Sequence, residues 1–204
     1  MHLVPTQDEV IALLRQTGAL REGHFRYPSG LHSNQYLQVP LAMRYYQHQR
    51  MLSVGLSRLV RANPEIRAII SELSIVTPAT AGLPVAYGVC EALRAHQVYW
   101  AEKNNEAEPL RFRQFLEQVP GEKVLIVDDI LRTGKKLMEL KNLLEANGAE
   151  VLGLAVVVYQ PNPETLCFDP LPFYYLAELQ GCCFGDEASC QLCKEGIPIQ
   201  EVWI

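Results

Sequence analysis

Apolar and polar positions along this chain recur in blocks that predict both helices and buried strands. In residues 51–60 and 137–146 the apolar side chains lie three and four positions apart, which predicts two amphipathic helices. Residues 68–70, 124–127 and 151–159 are apolar almost throughout, as in strands that are buried on both faces. Because strands and helices alternate from about residue 68 onward, the pattern predicts a largely parallel sheet flanked by helices.

The two ends of the chain follow other patterns. Gln7 or Asp8 can cap a first helix. After it, aromatic residues alternate with polar ones up to a Pro-Ser-Gly turn, and a return strand is predicted at 36–39. Several prolines within 161–172 indicate a loop on the surface. Residues 173–176 then form either an edge strand or a cover over the N-terminal strands.

Composition narrows the class of protein. With 204 residues, of which 49% are hydrophobic, the chain has the size and content of one globular domain. A net charge of -5 lacks the basic surface that binding to nucleic acid requires. No apolar run reaches the length of a membrane span, and the first residues lack the apolar core of a signal peptide. We therefore expect a cytoplasmic protein that binds neither nucleic acid nor membrane.

The most informative stretch is the end of the apolar run at 124–127. Two adjacent acids, Asp128 and Asp129, follow it directly, and a Thr133-Gly134 turn then precedes the second amphipathic helix. In an open α/β sheet, ligands bind at the carboxyl ends of strands, where loop amides and a helix N-terminus can face an anion. The alternative is a simple connection whose acids only cap a helix.

This order of strand, acidic pair, Thr-Gly loop and helix resembles the phosphoribosyl pyrophosphate (PRPP) motif of the type I phosphoribosyltransferases. The resemblance implies that Asp128 and Asp129 contact the ribose and stabilise positive charge on it during the reaction. It also implies a loop around the 5-phosphate, made by Arg132, Thr133, Gly134, Lys135 and Lys136. The family usually carries a hydroxyl residue where this chain has Lys136.

A second loop, at 77–82, occupies the place where this family approaches the pyrophosphate of PRPP with backbone amides. Small residues permit that approach, and the positions that match are Thr77, Ala79, Thr80 and Ala81. The loop has one glycine where family members often have two or three. A plain strand-to-helix connection remains the alternative.

The N-terminal segment narrows the resemblance to the orotate phosphoribosyltransferases. A Gly-x-Phe strand, a Ser-Gly turn and a Ser-x-x-Tyr sequence are similar to the hood that covers the nucleobase in those enzymes. Base contacts are thereby implied for Phe25, Tyr27 and Ser29. Many members have a lysine where this chain has Pro28. His32 is either a solvated turn residue or a contact to the base.

The polar loop after residue 102 is similar to the flexible catalytic loop of the orotate enzymes, which closes over PRPP and stabilises the leaving pyrophosphate, commonly across a dimer interface. Lys103 matches a basic position of that loop and is the expected catalytic cation. Residues 106–108 read Glu-Ala-Glu where the family carries a further lysine. Arg111 and Arg113 can substitute in part if the loop folds back.

The C-terminal segment is rich in cysteine. Six cysteines in a cytoplasmic chain are expected to be reduced thiols. Four of them, Cys182, Cys183, Cys190 and Cys193, can hold a tetrahedral structural Zn²⁺, although two adjacent residues are awkward as ligands of one metal. Thiols packed at an interface are the favoured interpretation, and a redox role requires an activated, accessible thiolate.

The resemblance spans about residues 24–154 and implies a type I phosphoribosyltransferase fold. We expect one domain over 1–204, with a core at about 45–160 and a small hood built from about 1–44 and 161–204. The implied reaction transfers ribose 5-phosphate from PRPP to orotate, with Mg²⁺ bound alongside PRPP, in a homodimer. Two rivals are a PRPP-dependent transferase for another base and a regulator that binds PRPP or a nucleotide without catalysis.

Overall fold

The computed structural model describes residues 4–28, 30–105, 107–113, 116 and 119–202. Within these ranges the helices are α1 (Gln7–Gln16), α2 (Pro40–Met43), α3 (Tyr46–Arg61), α4 (Pro64–Ala68), α5 (Leu83–Leu93), α6 (Lys135–Ala146) and α7 (Gln191–Lys194). The strands are β1 (Leu20–Arg26), β2 (His32–Leu37), β3 (Ser74–Pro78), β4 (Gln97–Glu102), β5 (Arg111–Phe112), β6 (Lys123–Leu131), β7 (Glu150–Tyr159), β8 (Phe173–Glu178), β9 (Cys183–Phe184) and β10 (Gln200–Glu201).

The larger sheet confirms the predicted fold class. Its strands lie in the order β5-β4-β3-β6-β7-β8, and every neighbouring pair is parallel except β4 with β5. Alternate residues of β6 face opposite sides: Leu125 and Val127 pack with α1, α3 and α5, whereas Val124 and Ile126 pack with α6. Helices therefore cover both faces, as the uninterrupted apolar runs predicted.

Two strands differ from their predicted positions. Residues 68–70 form no strand, because Asn63 and Pro64 begin the short helix α4 there and a single 3₁₀ turn follows at Ile70–Glu72. The buried strand is instead β3, which begins four residues further along the chain, and its last two residues fall in the loop predicted at 77–82. Its polar Ser74 is satisfied by a hydrogen bond from Ser74 Oγ to Glu122 Oε1, 2.5 Å long.

The strand β6 also extends further than predicted. Instead of ending at the acids, it continues through them to Leu131, since the long strand β7 pairs with it as far as Tyr159. Asp128 and Asp129 are thus residues of the strand itself, and pairing with β7 on both sides of them holds their backbone in place.

A smaller sheet, which we call the hood, is drawn from both ends of the chain. Its strand order is β10-β1-β2-β9, and Phe25, Tyr27 and Val202 form its small apolar cluster. The strand β8 joins the larger sheet rather than the hood, so a boundary at residue 160 does not follow the two sheets. None of the helices in the described ranges has the length and apolar character needed to cross a bilayer.

Candidate active site

The acidic pair lies at the carboxyl end of the central strand β6 and is almost fully buried. Asp128 and Asp129 are each 8% exposed. The backbone N–H of Asp129 donates to Asp128 Oδ1 over 2.9 Å, and that of Ile130 donates to Asp129 Oδ1 over 2.9 Å. Each carboxylate is therefore oriented by the main chain and keeps acceptor capacity for a ligand.

Burial changes the acidity of both groups. Loss of water raises the pKa of Asp128 well above its ordinary value, and the neighbouring charge of Asp129 raises it further. Burial also raises the pKa of Asp129, although hydrogen bonds from its neighbours and the charge of Arg132 oppose that effect. The pair therefore holds a proton to a higher pH than solvated carboxyls do.

The loop after β3 approaches this pair closely. A side chain at Gly82 would place its Cβ 2.1 Å from Thr77 Oγ1 and 2.5 Å from Asp128 Oδ1, so only glycine fits. Thr77 is fully buried, and Ala81 lines the cavity described below. Ala79 is half-buried and Thr80 is exposed, and the peptide bond between them is cis. The predicted pyrophosphate loop therefore lies against the predicted ribose contacts.

The predicted phosphate loop turns sharply into α6. Gly134 adopts a left-handed conformation with φ of 73°, in which any other residue would be strained. A Cβ at this position would also lie 2.8 Å from Cε2 of the Phe168 ring. The loop is anchored at Thr133, whose carbonyl accepts a hydrogen bond from Leu166 N over 2.9 Å. Lys136, in the place of the family's hydroxyl residue, lines the cavity, and its charge opposes part of the rise in the pKa of Asp128.

Arg132 points away from this loop, toward the hood. Its Nε donates to Gln160 Oε1 over 2.8 Å, and its guanidinium carbon lies 5.5 Å from the ring centre of Tyr27. A longer bond of 3.4 Å joins it to the carbonyl of Leu37. Gln160 is fixed in turn by Gln35, 3.0 Å away. The sequence grouped Arg132 with the phosphate contacts, whereas the structure places it between core and hood.

A cavity of about 350 Å³ joins these parts. Its lining residues from the described chain are Tyr27, Tyr36, Leu37, Gln38, Ala81, Asp128, Asp129, Ile130, Arg132, Thr133, Gly134, Lys135, Lys136 and Leu137. Tyr36 and Gln38 were not predicted as site residues, although Tyr36 ends the Ser-x-x-Tyr sequence.

The three predicted base contacts, Phe25, Tyr27 and Ser29, differ in where they lie relative to the cavity. Tyr27 lines the cavity, but Phe25 is 3% exposed and packs inside the hood, with its ring centre 5.7 Å from that of Tyr36. A bulge between Glu22 and Phe25 changes which residues of β1 face the core of the hood. Ser29 lies outside the described residues.

Lys103 is engaged elsewhere in this conformation. Its Nζ lies 2.8 Å from Glu139 Oε2 on α6. Burial of Glu139 alone would raise the pKa of its carboxyl, but the bonds from Lys103 and from the Leu110 amide bring it below its ordinary value. The loop arginines are also paired, Arg113 with Glu102 and Arg111 with Asn104. Of the loop acids, Glu106 lies outside the described residues.

The cysteine-rich segment differs from its predicted arrangement. Cys190 and Cys193 do come together, but their companions are His24 and His32. Cys182 and Cys183 are exposed and follow the edge of β2, where Cys182 N donates to Asn34 Oδ1 and Cys183 Sγ lies 3.8 Å from Ser33 Oγ. Among the described residues, the group close enough to share one metal ion contains Cys190 and Cys193 but neither Cys182 nor Cys183.

Comparison with known proteins agrees with this geometry. A family model described as a phosphoribosyl transferase domain matches residues 59–166. The orotate phosphoribosyltransferase of Pelotomaculum thermopropionicum is 33% identical over 193 residues, or 95% of each chain. That of Thermus thermophilus is 30% identical over 194 residues, covering 95% of this chain and 100% of the relative. The crystal structure of orotate phosphoribosyltransferase from Aeropyrum pernix matches with a TM-score of 0.66 at 21% identity, covering 83% of this chain and 93% of that one.

Proposed function

This chain belongs to the phosphoribosyltransferase family, and we propose that it transfers ribose 5-phosphate from PRPP to N1 of orotate, releasing pyrophosphate and forming orotidine 5'-monophosphate. The observation that carries the proposal is that three parts of the protein line the same cavity: the buried acids, the predicted phosphate loop with its turn at Gly134, and the hood. Relatives over nearly the whole chain are named for the orotate reaction, which supports the choice of base.

The arrangement suits a reaction in which the bond to the leaving pyrophosphate breaks early. The electron pair of that bond departs with pyrophosphate, and positive charge builds on the ribose ring. N1 of orotate supplies the pair for the new bond and releases its proton to the departing pyrophosphate or to solvent. Asp128 and Asp129 lie where they can accept hydrogen bonds from the ribose hydroxyls and stabilise that charge. The loop at Thr133 and Gly134 holds the 5-phosphate with backbone amides at the start of α6.

Magnesium fits this site as a companion of PRPP. The buried carboxylate oxygens of Asp128 and Asp129 at the cavity wall are hard donors of the kind Mg²⁺ prefers, directly or through its water ligands. When bound, the ion neutralises charge on the pyrophosphate as it leaves. Lys103 adds to this stabilisation once loop closure releases it from Glu139.

A homodimer and a cytoplasmic location complete the proposal. Tyr45, Tyr46 and Tyr87 are exposed by 44%, 72% and 53% on the packed helices α3 and α5 or just before them. Exposed aromatic residues of this kind are enriched at protein interfaces, which supports a second copy packed near these two helices. The six cysteines, all within the described part of the chain, are free, as in a reducing compartment.

The test of the reaction is incubation of the purified protein with PRPP, Mg²⁺ and a panel of bases, with pyrophosphate release as the measurement. We expect orotate to be consumed at a turnover of about 1–10³ per second, within the usual range of enzymes. Chelation of Mg²⁺ should abolish turnover, and added Mg²⁺ should restore it. Turnover of another base without orotate would select the first rival. Tight PRPP binding with no turnover of any base would select a regulator.

Arg132 gives a sharper prediction within this proposal. Orotate differs from uracil by a carboxylate. Arg132 is a positively charged residue of the cavity wall, and its side chain faces the hood rather than the predicted phosphate loop. We expect Arg132→Gln to raise KM for orotate about 10–100-fold, since a hydrogen bond to a charged group contributes about 1.5–3 kcal/mol. The measurement is steady-state kinetics with orotate and with PRPP varied in turn.

A second measurement on Arg132→Gln compares kcat/KM for orotate with kcat/KM for uracil, in the variant and in the wild type. Loss of the guanidinium should reduce the preference for orotate, because uracil has no carboxylate to lose contact with. A variant that raises KM for PRPP instead, with KM for orotate unchanged, would place Arg132 on the 5-phosphate.

A further inference from the structure

Four potential metal ligands converge at the hood, outside the proposed substrate cavity. One ligand atom from each of His24, His32, Cys190 and Cys193 lies within 4.8 Å of every other. His24 is on β1, His32 on β2, and the two cysteines come from the Cys-x-x-Cys at the start of α7. His24, His32 and Cys190 are buried, and Cys193 is half-buried.

The individual distances are close to those of a tetrahedral site. Cys190 Sγ lies 3.5 Å from His24 Nε2, and Cys193 Sγ lies 3.6 Å from the same atom and 3.4 Å from His32 Nδ1. Zinc bonds of about 2.3 Å to sulfur and 2.0–2.1 Å to nitrogen place tetrahedral N and S ligands about 3.6 Å apart. His24 Nε2 and His32 Nδ1 are 2.8 Å apart. A small rotation of either ring increases this distance to the separation of about 3.4 Å expected for two nitrogen ligands of a tetrahedral zinc.

We propose that His24, His32, Cys190 and Cys193 bind one structural Zn²⁺. Two thiolates, two neutral imidazoles and one Zn²⁺ carry no net charge, so the site can be buried without leaving an uncompensated ion. The mixed nitrogen and sulfur donors suit Zn²⁺ better than the hard ions Mg²⁺ or Ca²⁺. All four tetrahedral positions are filled by side chains, which is typical of structural zinc sites, since catalytic sites keep one position open.

A hydrogen bond at the other ring nitrogen of His24 orients the ring for binding zinc through Nε2. His24 Nδ1 lies 2.7 Å from the carbonyl oxygen of Ile197 and must carry the proton in that contact. In a neutral imidazole Nε2 then offers the lone pair, and in His24 this atom faces His32 and both cysteines. A ligating histidine that donates its other N–H to a backbone carbonyl is the usual arrangement at zinc.

The site joins parts of the chain that are far apart in sequence. Its cysteines come from the segment that supplies β9 and β10, the two strands that pair with β2 and β1 at the edges of the hood. Both of these strands are only two residues long and offer few ladder bonds. Zinc would therefore tie the C-terminal segment to the β1–β2 hairpin, which also carries the cavity residues Tyr27 and Tyr36.

Metal analysis of the full-length protein tests this proposal directly. We expect protein purified under reducing conditions without added zinc, and without chelator, to contain one zinc per chain by elemental mass spectrometry. Cys193→Ser should lose that zinc, whereas the matched variant Cys182→Ser should retain it, because Cys182 is exposed and outside the group. The thermal melting temperature should fall for Cys193→Ser and stay near that of the wild type for Cys182→Ser.

Cobalt substitution of the wild-type protein gives a readout that does not depend on how a variant folds. The apo protein reloaded with Co²⁺ should show the visible bands of a tetrahedral ion and ultraviolet thiolate-to-cobalt charge transfer. Protein that binds neither Zn²⁺ nor Co²⁺ at one equivalent would overturn the proposal, as would a Cys190–Cys193 disulfide in the reduced preparation or equal zinc loss in both variants. Because these measurements require no catalysis, they stand or fall separately from the proposed transferase activity.

Discussion

Replacing Asp128 with asparagine should nearly abolish transfer while making the protein more stable at neutral and alkaline pH. Asparagine keeps the oxygen that accepts the hydrogen bond from Asp129 N, so the local backbone can persist. It removes the carboxyl that, in its ionised form, would stabilise positive charge on the ribose in the transition state, and losses of this type lower kcat about 10²–10³-fold. It also removes a carboxyl that is buried beside another carboxyl.

The stability effect has a definite dependence on pH. Burial and Asp129 raise the pKa of Asp128 in the folded protein above its unfolded value. Below the unfolded pKa of about 3.9 the group is protonated in both states, so it does not oppose folding there. As the pH rises toward the folded pKa, the unfolded state releases its proton while the folded state retains it, and stability falls. The advantage of Asp128→Asn should therefore grow from about pH 4 upward.

Thermal melting between pH 4 and pH 8, together with the rate of pyrophosphate release, measures both effects. At pH 8 we expect the variant to melt at least about 3 °C above the wild type, which corresponds to about 1 kcal/mol for a chain of this size. Asp186→Asn is the matched control, because hydrogen bonds from Ser189 hold the pKa of that exposed carboxyl below its ordinary value. It should give no gain at pH 8. A variant that melts below the wild type at pH 8 would contradict the argument from burial, and retained turnover would contradict the catalytic role.

The parts of the site that could be predicted are those that lie close together in sequence. Asp128, Asp129 and the turn at Gly134 fall within seven residues of one strand-to-helix connection, so their order alone indicates a ligand-binding edge. The strand β3 was missed because Ser74 and Thr77 are polar and Pro78 has no N–H for a sheet. Its burial becomes evident only when β4 and β6 pair on either side.

Contacts between distant parts of the chain were not predictable in this way. Arg132 meets Gln160 and Tyr27 only because the hood folds over the core, and nothing in its own loop indicates that direction. The histidines are more than 150 positions away from the cysteine pair in the sequence, and His24 and Cys190 are 166 positions apart. Neighbouring cysteines suggested a four-thiol site, whereas strand pairing in the hood determines the actual companions.

The close approach at Gly82 leads to the second large expected effect, that of Gly82→Ala. The added methyl group would lie 2.5 Å from Asp128 Oδ1 and 3.3 Å from Asp128 Cα, and that backbone is fixed by strand pairing on β6. We expect the free energy of unfolding to fall by about 1–3 kcal/mol, as for other overpacked interiors. We also expect kcat/KM for PRPP to fall about 10²-fold, because displacement of a reacting group by an ångström has that effect.

Urea unfolding and steady-state kinetics measure the two effects of Gly82→Ala, and Gly185→Ala is the matched control. A Cβ at Gly185 meets no atom within 4 Å, so that substitution should change neither stability nor kinetics appreciably. Thr77→Ala removes the oxygen that lies 2.1 Å from the new methyl group. Combined with Gly82→Ala, it should recover part of the lost stability, since residues that share one contact do not act independently. If the losses of stability in the double variant are strictly additive, steric contact with Thr77 is not the cause of the effect. If Gly82→Ala leaves the PRPP kinetics unchanged, this loop does not contribute to binding or positioning PRPP.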